Sequence, residues 1–343
     1  MSRTLAGGAQ QHRGLRRRAV LVGVLLLCAG GARAETIDDS LLTLRQGIVS
    51  LKVDVSPQAH SAATLGQQRH ASGVVIDDKG LILTVGYVIL EASAIEITAP
   101  DGSKVPGTVV GYHAETGFGL VRALAPLHEV HAVPLGTSAS VQVKDPVLIM
   151  AYDNSDGFTS GLVVSRRTFT GYWEYILEDP LYTVPAVPNF AGAALVDRDF
   201  TMIGVGSLIV NDAMDSDGSI PGNVFSPIDA LKPVLAQLTE QGHAAAPPRP
   251  WLGVNVIEQF GRVVVARVTK DGPAQQNGIA AGDIIFEVAG KRVTSAEEFF
   301  RALWRQGQAG VAVPLTVLQQ QSINRLSIHS GDRYQFYRVH PLY

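Results

Sequence analysis

Hydrophobic and polar positions alternate with a period of two over many short stretches of this chain. Val49, Leu51, Val53 and Val55 face one way at the end of the segment 41–55, which predicts a half-buried strand. Residues 35–70 read as a short helix or strand lead-in, within which the mostly polar or small stretch 56–69 reads as a mobile loop. Residues 72–84 set two aliphatic runs on either side of Asp77-Asp78-Lys79-Gly80, which predicts a hairpin whose glycine supplies the positive φ of the turn. Further strands are predicted over 94–99, 105–112, 119–123, 147–151, 161–165, 174–177, 192–197 and 202–209. Turn residues separate most of them, the spacing of an all-β barrel or sandwich. One helical pattern, 229–238, closes the region with Leu231, Val234, Leu235 and Leu238 on its apolar side and Asp229 as the expected N-cap.

The pattern changes after Gln241. The segment 242–250 is rich in alanine and proline and reads as an extended linker. A compact unit follows, with strands expected over 252–258, 262–268, 283–288, 313–319 and 325–330 and helices over 274–277 and 296–306. Ser295 and Glu298 fit a capping box for the longer helix, and Phe299, Phe300 and Leu303 form its apolar face. A chain of 343 residues is too long for one core, so two domains are expected.

The N-terminus reads as a targeting segment. Arg13 and Arg16-Arg17-Arg18 precede the apolar run 19–29, which is too short for a membrane span, and Ala32-Arg33-Ala34 fits a cleavage site. Residues 1–34 carry six arginines and no acid, so the remainder has 22 basic and 31 acidic residues, a net charge of −9. Such a balance, without a basic run, excludes a nucleic-acid binder. Cys28 leaves with the signal, so no disulfide framework is expected. No spacing suggests a metal, and no cofactor is implied. The compartment implied is the periplasm, with no membrane span after cleavage.

Several motifs, in order, resemble the HtrA/Deg family of trypsin-like serine proteases. They are Ser72-Gly73-Val74-Val75-Ile76-Asp77, Gly80-Leu81-Ile82-Leu83-Thr84, Pro134-Leu135-Gly136-Thr137-Ser138, Thr159-Ser160-Gly161-Leu162-Val163 and Phe225-Ser226-Pro227-Ile228. Residues 250–343 resemble a bacterial PDZ domain, through Trp251-Leu252-Gly253-Val254, Gly272-Pro273-Ala274, Gly278-Ile279 and Gly282-Asp283-Ile284-Ile285. The resemblance implies a mainly β protein: a chymotrypsin-like double six-stranded β-barrel followed by an α+β PDZ domain. The expected layout is a signal peptide at 1–34, a peptidase-like domain at 35–241, a linker at 242–250, and the PDZ domain with its C-terminal tail at 251–343.

The same resemblance places the family's triad on Tyr87 for the base, Gly117 for the acid and Ala191 for the nucleophile. Asn189 stands where the family has a glycine two residues before the serine, which puts the oxyanion hole in doubt. A tyrosine is a poor base at neutral pH, glycine has no carboxylate and alanine has no reactive atom. Loss of the nucleophile alone costs on the order of a million-fold in kcat. The implied function is a proteolytically inactive scaffold, chaperone or regulator that binds polypeptides or protein C-termini. Trp251, Leu252, Gly253 and Val254 would form its carboxylate loop. The alternatives are an active serine-type endopeptidase with a non-standard site, or an inactive partner subunit of an active HtrA-like paralogue. A homo-trimer is the assembly the resemblance implies. The sequence ends Val339-His340-Pro341-Leu342-Tyr343, so the chain's own tail is an expected occupant of the groove. His60, His70, His113, His128 and His131 are expected as exposed loop residues.

Overall fold

A computed structural model describes residues 32–153, 157–214 and 219–338, with side chains from Asp39 onward. The expected signal segment lies outside them except for its last three residues, which begin helix α1 (Ala32–Gln46). The described residues from Asp39 onward form one compact unit.

Six strands form the first closed barrel: β1 (Ile48–Val55), β2 (Gln68–Val75), β3 (Leu81–Val85), β4 (Ala92–Thr98), β5 (Lys104–His113) and β6 (Phe118–Ala123), in the order β1-β2-β3-β6-β5-β4. The alternation in β1 has its expected consequence, since Val49, Leu51, Val53 and Val55 are all buried. The interval before β2 is not a bare loop. It holds a helical turn, α2 (Ala62–Leu65), and at the start of β2 the buried Arg69 donates from its guanidinium to the carbonyls of Tyr87 and Leu90. A second turn, α3 (Gly86–Ile89), follows β3 and carries Tyr87.

The second barrel closes in the order β11-β14-β13-β12-β7-β8. Its strands are β7 (Pro146–Met150), β8 (Thr159–Ser165), β11 (Leu181–Val184), β12 (Ala194–Val196), β13 (Met202–Val210) and β14 (Gly222–Pro227). Two further strands, β9 (Phe169–Thr170) and β10 (Ile176–Leu177), pair only with each other and project as a small hairpin between β8 and β11. The strand expected over 174–177 is therefore shorter than its pattern suggested. Glu174 sits in the hairpin turn, which Gly171 closes by donating its N–H to the Tyr175 carbonyl (2.9 Å).

The helix expected over 229–238 is broken in two. Residues 228–230 form a single 3-10 turn, and the α-helix α4 runs from Leu235 to Gln241. Pro233 cannot continue the ladder of N–H donors, and Asp229 is engaged elsewhere. Its carboxylate accepts from the Ala139 N–H (2.8 Å) and the Ser138 hydroxyl (3.1 Å).

The C-terminal unit is a sheet in the order β15-β16-β17-β19-β20, with β18 (Lys291–Arg292) on β17. The main strands are β15 (Val254–Gln259), β16 (Arg262–Val268), β17 (Ile284–Val288), β19 (Ala312–Gln319) and β20 (Ser322–His329). Helices α5 (Pro273–Gln276) and α6 (Ala296–Trp304) cover it, with Phe299, Phe300 and Leu303 fully buried. Ser295 caps α6 by accepting from the Glu298 N–H (3.1 Å), while the Glu298 carboxylate reaches back one residue further, to Thr294. A last turn, α7 (Arg333–Phe336), returns to the first barrel, where the Tyr334 hydroxyl accepts from the Ala114 N–H (3.0 Å). Near the end of the 242–250 segment, Arg249 pairs with Glu115 (2.6 Å) and lies over the Trp304 ring.

Replacing Ser295 with alanine removes the acceptor of the α6 cap and should cost about 1 kcal/mol. Urea denaturation checks it: the midpoint should fall with an unchanged slope. An unchanged midpoint would contradict the capping role.

Candidate functional site

Two places combine buried polar geometry with motif residues: the loop 187–193 at the barrel seam, and the loop 251–254 that opens the C-terminal unit.

The seam loop is rigidly framed. The Val187 N–H donates to the fully buried Asn223 side chain (2.7 Å), which returns a bond to the Val187 carbonyl (3.1 Å). The Ala191 carbonyl accepts from the Ser72 N–H of the first barrel (2.9 Å). Gly192 has φ +70°, and a Cβ there would lie 2.0 Å from the Ser72 carbonyl oxygen, so only glycine fits. Asn189 is not among the residues with positive φ. The side chains of Ala191 and Tyr87 both pack against the core of the first barrel. Burial pushes the Tyr87 phenol above its usual pKa, so it stays protonated and cannot accept a proton at neutral pH.

Gly117 lies in the β5–β6 turn at φ +76° and donates its N–H to the His113 carbonyl (2.8 Å). A Cβ at Gly117 would stand 3.0 Å from the Tyr175 hydroxyl. That hydroxyl donates to the Thr116 carbonyl (3.1 Å), which also accepts from Ser226 of the second barrel (2.9 Å). The tip of a tyrosine from the β9–β10 hairpin thus stands in close contact with the place assigned to a carboxylate by resemblance.

His113 departs from expectation. It is buried rather than exposed, with Nδ1 2.7 Å from the Thr116 hydroxyl. Burial, and then the nearby Arg249 charge, lower its pKa to about 4, so the ring is neutral at neutral pH. His60 is half-buried against the Phe336 ring, while His70, His128 and His131 are exposed.

The second place holds an occupant. The Glu174 carboxylate, only 6% exposed, accepts from three successive backbone N–H groups: Leu252 (3.1 Å), Gly253 (2.7 Å) and Val254 (3.1 Å). Three of the four residues expected in the carboxylate loop therefore hold a carboxylate. Trp251 does something else. Its N–H and carbonyl pair with Gly331, and its ring packs on Phe336 and Tyr337. The preceding residues of the hairpin run antiparallel to β15: the Val256 N–H donates to the Tyr172 carbonyl (2.7 Å), and Trp173 stands opposite Asn255. Ile176 is buried in the C-terminal unit's own core, with Leu252, Val254, Phe300 and Leu303. The expected occupant, the tail 339–343, lies outside the described residues; residues 172–176 are the ones in the groove. Sequence reasoning missed Glu174 because its partners lie 78 to 80 positions further along the chain. The Tyr172-Trp173-Glu174-Tyr175 cluster in a turn was the one available signal.

Burial pushes the Glu174 carboxyl up from 4.5 to about 7, against the lowering influence of the loop N–H donors and of Arg333. Among the described residues, no group of three or more His, Cys, Asp or Glu is placed to hold a metal ion, and no helix is long and apolar enough to cross a membrane.

Comparison with known proteins follows the same division. Residues 71–205 match the trypsin-like peptidase domain family and residues 250–329 match the PDZ domain family. "Protease Do-like 1, chloroplastic" of Arabidopsis thaliana is 27% identical over 311 residues, covering 84% of this chain and 67% of that protein. "Probable periplasmic serine endoprotease DegP-like" of Halomonas elongata is 27% identical over 299 residues, covering 81% of this chain and 60% of that protein. The chain spans about half to two thirds of the length of the curated relatives it matches. The solved "HtrA-type protease AlgW with decapeptide" shares the fold, with a TM-score of 0.52 at 22% identity over 86% of this chain and 98% of that one.

The raised pKa of Glu174 makes a stability prediction. The folded protein holds a proton that the unfolded chain, with an ordinary carboxyl near 4.5, releases. Its contribution is full below about pH 4.5 and is lost as pH rises to about 7. The stability of the native protein relative to Glu174→Gln should therefore fall across that interval in denaturant titrations. Parallel pH curves for the two proteins would contradict the buried environment of this group.

Proposed function

On the premise that this chain is an HtrA-like protein, a trypsin-like peptidase domain followed by a PDZ domain, we propose that it is a pseudoprotease that binds polypeptide C-termini. Tyr87, Gly117 and Ala191 stand for the base, acid and nucleophile of the triad, and none of them can do that chemistry. The observation that carries this reading is the alanine at position 191 inside a loop whose backbone frame is kept. The frame of Asn223, Gly192 and Ser72 persists around a residue with no reactive atom. Loss of all three triad members leaves at most roughly 10³–10⁴-fold over water, and only with an intact oxyanion hole. Asn189 in place of glycine weighs against that remnant.

The relatives' names make an active endopeptidase the second reading. Its best-placed pair is His113 with Thr116, 2.7 Å apart. An imidazole with a pKa near 4 is a weak base at neutral pH, and the Thr116 carbonyl is held by two hydroxyls, so this pair favours a structural role.

The binding role rests on the PDZ loop. Backbone N–H groups of Leu252, Gly253 and Val254 converge on a carboxylate, which is the chemistry a chain terminus needs. The neighbour AlgW is described as solved with a decapeptide. The arginine-rich start followed by an apolar run supports export, and the Halomonas relative is named as periplasmic. Work as a scaffold, chaperone or regulator, as a homo-trimer or beside an active paralogue, follows from the same reading.

Incubation with unfolded casein and a serine-reactive fluorophosphonate should give neither cleavage nor labelling above a buffer control. Ala191→Ser should label weakly at most and should not cleave, because base and acid are still missing. Casein cleavage by Ala191→Ser would overturn the assignment of Tyr87 and Gly117, and cleavage by the native chain would overturn the pseudoprotease reading itself.

A further inference from the structure

The groove of the C-terminal unit carries every mark of a bound peptide, yet the peptide belongs to the same chain. A PDZ ligand adds a strand antiparallel to one edge, gives a carboxylate to the loop N–H groups, and buries an apolar side chain beside the flanking helix. The β9–β10 hairpin supplies all three. Tyr172 and Trp173 pair with Val256 and Asn255 of β15. Glu174 fills the loop with its side-chain carboxylate. Ile176 is buried in the apolar core to which β15 and α6 both contribute. A latch lies outside: Arg301 of α6 pairs with Glu178, just past the hairpin (2.7 Å).

Granting the peptide-binding reading above, on which it rests, we infer that the 169–177 hairpin is a built-in ligand of the groove, which a polypeptide ending in a free carboxylate and an aliphatic residue must displace in order to bind. The class of ligand follows from what it replaces: a carboxylate for Glu174 and a branched aliphatic side chain for Ile176. A carboxyl-terminal amide should bind much more weakly, because its single carbonyl oxygen brings no full negative charge to the three N–H donors.

Displacement has a consequence at the barrel seam. Tyr175 lies next to Glu174, and its ring stacks on Trp173 at 5.6 Å and 7°. Its hydroxyl holds the Thr116 carbonyl, beside Gly117. When Glu174 leaves the groove, the adjoining Tyr175 is no longer fixed from that side. Peptide capture is thereby linked to the β5–β6 turn and, through Ser226, to the second barrel.

The test uses the full chain and an equimolar set of fluorescent decapeptides ending in valine, isoleucine, leucine or alanine with free carboxylates, with the matching amides as controls. Glu174→Ala should bind the free acids at least roughly tenfold more tightly than the native chain, since apparent affinity scales with the fraction of open groove. A second variant leaves Glu174 in place. Cysteines at Trp173 and Asn255, which face each other across the antiparallel pair, introduced in a Cys28→Ser background, should form a disulfide that locks the hairpin down. Oxidation should abolish peptide binding and reduction should restore it. Equal binding by native chain and Glu174→Ala, or by the oxidised and reduced forms, would overturn the displacement inference while leaving peptide binding standing. No binding by any form, with native circular dichroism retained, would overturn the peptide-binding reading and this inference with it.

Discussion

The carboxylate of Glu174 under three backbone N–H groups is the contact on which the arrangement of this molecule turns. Each unmade N–H bond in a buried place costs roughly 1–3 kcal/mol, so a loop that aims three donors at one point is stable only when an acceptor sits there. Leu252, Gly253 and Val254 form such a loop, and the acceptor comes from the peptidase-like domain. The same hairpin places Tyr175 at the seam of the two barrels and Ile176 in the core of the PDZ unit. Two domains joined by a proline-rich linker are thereby held by a buried ionisable contact as well as by the linker itself. The post-PDZ turn adds a second tie, through Tyr334 on Ala114 and Phe336 between His60 and Trp251.

Around the seam, the loop at Ala191 is framed by the backbone, and on the proposed reading that frame is a nucleophile loop's without its chemistry. Gly192 is fixed by backbone conformation and by the nearness of the Ser72 carbonyl, and Asn223 braces Val187. These are requirements of the fold, and they act whether or not position 191 carries a hydroxyl. Catalysis requires side-chain atoms in addition, and on the proposed assignment Tyr87, Gly117 and Ala191 do not supply them. The hydroxyl of Tyr175 stands 3.0 Å from where a Cβ at Gly117 would lie, so a side chain there would press on it.

Local physics made much of the fold legible in the sequence, and long-range contacts account for what it did not show. Alternation in 49–55 gave strand β1 with its buried face, and the Asp77–Gly80 turn gave the β2–β3 hairpin. The apolar face of α6 and its Ser295 cap were visible because both are set within a few residues. The helix at 229–238 was misjudged because Asp229 finds partners at 138 and 139, some 90 positions earlier. The segment 174–177 looked like a barrel strand because burial by a second domain leaves the same apolar signature as burial in a barrel. His113 looked like a surface residue because nothing near it in sequence reveals that it is covered. The glycine motif singles out the loop 251–254, while the Glu174 carboxylate against it comes only from the assembled structure.

Amide hydrogen exchange at Leu252, Gly253 and Val254 tests the central contact most directly. In the native chain these three amides should be strongly protected, and in Glu174→Ala the protection should be lost at all three while the strands of both barrels keep theirs. Equal protection in the two proteins would mean that Glu174 does not hold the loop, and the account of a groove closed from within would fail.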